Sequence, residues 1–96
     1  MLVVTEPTAK SIEVARRATE AAAQRAAVIV VANRVRDDAD AEAIRTALGG
    51  HEIAVVPEDP AIERADREGR APIDVDPGAS GVRAILALAE RVAAGA

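Results

Sequence analysis

The sequence predicts an α/β fold, a three-stranded parallel sheet in the order β-α-β-α-β-α-α. Three observations predict it. Short runs rich in Val and Ile at residues 2–5, 26–32 and 53–56 are separated by stretches whose apolar positions recur at helical spacing. The middle run, Ala-Ala-Val-Ile-Val-Val-Ala, is apolar at every position, as expected of a strand covered on both faces. Strands that alternate with helices make a parallel sheet with right-handed crossovers.

Each element has a local cause. Residues 2–5 are a β-branched run stopped by Glu6-Pro7. Thr8 caps the helix that follows, over about residues 9–25, with Ile12, Ala15, Ala18 or Thr19, and Ala22 along its apolar stripe. The second strand, residues 26–32, stops at Asn33-Arg34. Asp37, Asp38 and Asp40 precede a short helix over about residues 41–48, where acids suit the positive end of the helix dipole. Gly49-Gly50 closes that helix, one of the two with positive φ. The third strand, residues 53–56, ends at Pro57. A polar helical segment over residues 60–67 ends at Gly69, and residues 71–79 read as loop. The last helix begins at Gly78 or Ser80 and runs to about Ala93. Its stripe of Val82, Ile85, Leu86, Ala89, Val92 and Ala93 is the cleanest amphipathic pattern in the chain.

Composition narrows the function. Of the 96 residues 48 are apolar, and 24 of these are Ala; there is no Phe, Tyr or Trp. A core of this kind depends on close backbone approach, because Ala buries little area per residue. With no Cys there is no disulfide scaffold, thiolate metal site or Cys nucleophile. The longest apolar run is seven residues, too short to span a membrane. The N-terminus lacks the basic region and apolar stretch of a secretory signal. These readings predict a cytoplasmic protein with no membrane partner. The absence of aromatics removes base stacking, and a net charge of −4 disfavours phosphate backbones, so no nucleic-acid partner is expected.

Ligands of open parallel sheets bind outside the carboxyl ends of the strands. Three polar segments fall there: Thr5-Glu6-Pro7-Thr8, Asn33-Arg34 and Pro57-Glu58-Asp59. Asn33 carries a donor and an acceptor on one amide, which matches N6 and N7 of adenine. The plainer reading of the residue alone is that it caps or turns the chain at the strand end, since Asn favours turns. Pro57 and its neighbours could wall a base or simply stop a strand. Thr5 and Glu6 could meet a ribose or a partner subunit, or end a strand before a capped helix. Asp37, Asp38, Asp40 and Glu42 lack the glycine and spacing of a calcium loop and read as a solvated helix start. His51, the only His, has no catalytic companion nearby and reads as a surface residue. Arg64, Arg67 and Arg70 alternate with Glu63, Asp66 and Glu68, a pattern of salt-bridged solvent face or, less simply, of a docking face. No G-x-x-x-x-G-K-[ST] or G-x-G-x-x-G is present, the single Lys10 has no glycine loop, and no apolar strand ends in the Asp that usually holds magnesium.

The series Val3-Val4-Thr5-Glu6-Pro7-Thr8, then residues 28–35 (Val-Ile-Val-Val-Ala-Asn-Arg-Val), then Ala54-Val55-Val56-Pro57-Glu58-Asp59, resembles the C-terminal half of the deviant-Walker P-loop ATPases of the MinD/ParA/CobQ superfamily. It looks closest to the CooC branch, the accessory ATPases of carbon monoxide dehydrogenase maturation. Residues 62–72 and the closing amphipathic helix fit the same pattern, so the resemblance covers about residues 2–91. It implies half of a doubly wound, Rossmann-like P-loop NTPase domain, with residues 1–96 as one partial domain. It implies Asn33 as the adenine reader of ATP or ADP, with Arg34, Pro57, Glu58 and Asp59 lining the pocket and Thr5-Glu6-Pro7 toward a nucleotide-dependent dimer face. The family's phosphate loop, magnesium strand, switch segments and Cys-x-Cys pair have no counterpart here, so no metal site and no catalytic residue are expected. The expectation is weak nucleotide binding without hydrolysis. The alternative is an interaction module that self-associates, as a homo-oligomer, or pairs with a separate N-terminal half.

Overall fold

The computed structural model describes residues 1–95. Its elements are β1 (Leu2–Thr5), α1 (Ala9–Ala23), β2 (Ile29–Val35), α2 (Asp38–Leu48), β3 (Glu52–Pro57), α3 (Pro60–Glu68), α4 (Pro72–Val75) and α5 (Ser80–Gly95). The sheet is parallel, in the order β1-β2-β3, compatible with a Rossmann-like half-domain. The α/β class and the three-stranded parallel sheet expected from the sequence are therefore present. The chain divides into two compact units, Met1–Val55 and Val56–Ala96.

In the first unit, β1 and β2 pair in register from Leu2 opposite Ile29 to Thr5 opposite Ala32. That register sets the start of β2. Met1 accepts from the Ile29 amide at 3.0 Å and its ammonium donates to the Ala27 carbonyl at 2.9 Å, while Ala26 and Ala27 stay outside the strand and exposed. The strand also continues to Val35 instead of stopping at Asn33-Arg34. Alanine has little strand preference, so neighbouring strands decide the frame. Val30, Val31 and Ala32 are all buried, which fits cover on both faces.

Helices α1 and α2 pack on β1 and β2 respectively and on each other. Thr8 caps α1 by accepting from the Ser11 amide at 3.2 Å, and Ala15, Thr19 and Ala22 form its buried stripe. Thr19, not Ala18, faces inward; its hydroxyl donates to the Arg16 carbonyl at 2.8 Å, so no polar atom is stranded. On the outer face Arg16 bridges Glu13 and Glu20, and this pulls the Glu13 carboxyl down to about 2. Helix α2 starts at Asp38, earlier than expected, because Asp37 caps it by accepting from the Asp40 amide at 2.9 Å. Its buried residues are Ala41, Ile44 and Leu48, one inward stripe. Gly49 ends it in ordinary helical conformation, so the expected positive φ is absent there; among glycines of the described residues only Gly69 has one.

In the second unit, α3 opens with Asp59 as cap and Pro60 in the first turn, and closes at Gly69 with φ 65°. That left-handed cap suits glycine, and the Arg70 amide reaches back to the Ala65 carbonyl at 2.9 Å. The segment expected to be loop contains the single turn α4, opened by Pro72. In α5 Val82 is buried, but Ile85, Leu86 and Val92 are each 40% exposed. The amphipathic stripe therefore exists in sequence, but only its beginning is packed. Among the described residues no helix is long and apolar enough to cross a membrane.

Candidate functional site

Within the first unit the carboxyl ends of β1 and β2 carry Thr5, Glu6, Asn33 and Arg34. Thr5 is 1% exposed. Its hydroxyl lies 3.1 Å from the Glu6 carbonyl, to which it donates, and 3.3 Å from the Ser11 hydroxyl. Ser11 in turn accepts from the Glu6 amide at 2.9 Å. The Thr5-Glu6-Pro7-Thr8 turn is thus held from both ends, by Thr8 as cap and by Ser11 from the first turn of α1. Ser11 carries the turn but was not among the residues singled out from the sequence. Its signal is its place three residues after the capping Thr8.

Asn33 is half-buried and lies within strand β2, not beyond it. Arg34 follows with φ 59°, in the left-handed region, and is the only non-glycine among the described residues to do so. An arginine there carries backbone strain on the order of 1 kcal/mol. The kink interrupts the alternation of the strand: Arg34 turns to solvent and Val35 returns to the core. The Arg34 guanidinium meets the Glu6 carboxylate at 3.4 Å, and both side chains are about half exposed. An exposed pair at that distance contributes little, so the ion pair does not explain why the strained position holds Arg. Substitution R34G is expected to leave stability unchanged or raised by up to about 1 kcal/mol, and R34V to lower it, since a β-branched residue fits φ > 0 worst. Urea melts of the two variants check this; a loss with R34G equal to that with R34V would show that the side chain, not the backbone, sets the site's stability.

In the second unit Pro57 is the last residue of β3 and half-buried, and Glu58 is exposed. Asp59 is 8% exposed. One of its carboxylate oxygens accepts from the Ala61 amide at 2.9 Å and the other from the Gly81 amide at 2.8 Å. The Gly81 and Ala61 bonds outweigh the cost of burial. With the Ser80 hydroxyl and the Arg64 charge adding to them, they hold the carboxyl below the usual carboxylate range. A depressed carboxyl stabilises the fold above the unfolded value near 3.8, and that contribution disappears as pH falls through the depressed value.

The remaining polar clusters are accounted for locally. Asp40 pairs with Arg36 at 3.1 Å, which lowers its carboxyl, and Asp37 is the cap already described. Arg70 meets Glu68 at 3.3 Å and donates to the Asp74 carbonyl at 3.0 Å. Among the described residues no group of three or more His, Asp or Glu is placed to hold a metal ion. A groove of about 520 Å³ lined by Met1, Ala18, Ala21, Ala22, Gln24 and Arg25 opens at the other end of β1 and α1, away from Asn33. The chain matches no protein-family model and no curated protein sequence.

Proposed function

We propose that this chain is the base-facing part of a nucleotide-binding α/β fold of the CooC/MinD kind, with Asn33 and Arg34 toward the adenine of ATP or ADP and no hydrolysis of its own. The observation that supports it is the strained Asn33-Arg34 end of the central strand. A parallel sheet of this order presents ligands at the carboxyl ends of its strands. Strain of the Arg34 kind is retained where a position has work beyond stability. The half-buried Asn33 amide beside it offers the donor and acceptor that an adenine edge requires. Hydrolysis is not expected, because phosphoryl transfer needs cations and backbone amides arranged around the phosphates, and the sequence contains no phosphate loop.

A titration of the full chain with ADP, ATP and GTP, followed by amide NMR, tests the reading. Adenine nucleotides should shift the amides of Asn33, Arg34 and Val35, with millimolar affinity that N33A weakens about tenfold, and GTP should not. Shifts scattered over the surface, or equal for GTP, would sink the proposal. ATP turnover above background by the pure chain would overturn the non-catalytic half of it.

A second reading has its own support. β1 is an edge strand of four residues with no Pro and no charge, and Leu2 and Val4 are 45% and 59% exposed. Edges of this kind invite pairing. On this reading the chain is an interaction module that pairs through β1 with a second copy or with a separately made N-terminal half. The same NMR sample decides on the second copy: broadening of β1 amides with concentration supports it, and sharp, concentration-independent lines count against it.

A further inference from the structure

Asp59 stands at the start of α3 and Gly81 near the start of α5, 22 residues apart in sequence, both buried. A helix leaves its first amides without intrahelical partners. Ala61 belongs to the first turn of α3 and Gly81 to that of α5, and one carboxylate accepts from both. The approach is tight. A Cβ built on Gly81 would lie 2.8 Å from the Asp59 Cβ and 2.7 Å from the Ile62 Cδ1. The Ile62 terminus can swing aside, but the Asp59 Cβ sits next to the backbone and cannot. Further along α5 the large apolar residues Ile85, Leu86 and Val92 are part-exposed, so the start of the helix is where it is best held.

We infer that Asp59 is a latch, a single carboxylate that caps α3 and α5 together and fixes the first turns of α5 to α3, with Gly81 as the glycine that lets it close. It is a positioning residue. Its two oxygens each hold a helix amide, one from each of the two helices, so it positions the start of α3 against the start of α5. The latch itself does not require a nucleotide.

Amide hydrogen exchange on the full chain without nucleotide tests the latch, so its failure is separable from failure of the nucleotide reading. D59N keeps the size of the side chain but turns an NH₂ toward one of the two amides. It should lower protection of Gly81, Val82 and the next turn of α5 by about tenfold or more. Amides of Val30 and Ile44 in the first unit should keep theirs. G81A removes the close approach with the carboxylate intact and should produce the same pattern. S80A, which removes only a hydroxyl, should produce a smaller change. Unchanged protection of α5 in both D59N and G81A would overturn the latch. So would a loss spread equally over Val30 and Ile44, because that marks general destabilisation. Should D59N fail to fold, G81A alone decides between the local and the general pattern.

Discussion

Truncation of Ile44 to alanine is expected to cost about 2–5 kcal/mol, toward the upper end of that range. Ile44 is fully buried and is the largest side chain so placed. It sits in the middle of the inward stripe of α2, between Ala41 and Leu48, in the cluster formed with Val3, Val30, Ala32 and Val35. The cost of such a truncation depends on how far the neighbours can collapse into the space. Several neighbours here are alanines, which have no side-chain rotamers to move, and the valines have one strongly preferred rotamer. The cavity should therefore persist. A small domain has about 5–15 kcal/mol to lose, and no aromatic side chain is available to spread the deficit. In urea melts followed by far-ultraviolet circular dichroism, I44A should lower the midpoint by about 1 M or more, given slopes of about 1–3 kcal/mol/M. I44V should cost only about 0.5–1.5 kcal/mol. A loss below 1 kcal/mol with I44A would mean that α2 is held mainly by its caps.

The β-α-β-α-β order was legible because each strand is a β-branched run and each helix start is marked. Thr8, Asp37 and the Asp59-Pro60 pair all cap as their residue types suggest. The limits of β2 were not legible, and the reason is alanine. Residues 26–32 look like one uniform strand, but the β1–β2 ladder starts with Leu2 opposite Ile29, and Ala26 and Ala27 lie outside it. The stripe of α5 misled in another way. Periodicity states which face a helix would bury and not whether anything lies against it. Helix α4 was hidden by Pro72 and Pro77, which mark a turn but do not forbid a single helical turn that opens on proline.

The sequence reading singled out Asn33 and Arg34 by one rule, that polar residues following an apolar strand face the ligand side of a parallel sheet, and the structure places both within β2 instead of after it. It did not show the left-handed Arg34, because arginine is not a residue that announces φ > 0. Asp59 is the instructive position. Its role as a cap was not read from the sequence, although an acid before Pro at a helix start has that form. The resemblance placed it among pocket residues, and its bond to Gly81 spans 22 residues that no local pattern connects.

Enlarging Ala32 to leucine is expected to cost about 1–3 kcal/mol, with the helices packed on the sheet rather than the sheet giving way. Ala32 is fully buried in β2, opposite Thr5 in register, and shares its cluster with Val3, Ala15 and Val30. The sheet is fixed at this point by the β1–β2 ladder, so the extra atoms push on α1 and α2, whose buried residues share the cluster of Ala32. Helix α1 presents Ala15, Thr19 and Ala22 inward, all small, which implies close approach of its backbone to the strands. In most cores a buried alanine is a gap filler that tolerates exchange. Here the buried alanines set the distance between layers, and half of the apolar residues in the chain are alanine. The control is A43L on the exposed face of α2, which should stay within about 0.5 kcal/mol of the parent. Urea melts give both values, and amide exchange shows where A32L acts, with protection of α1 and α2 falling before that of β2. A neutral A32L would mean that the layers are not in close contact, and stability would then have to be sought in the few large aliphatics around Ile44.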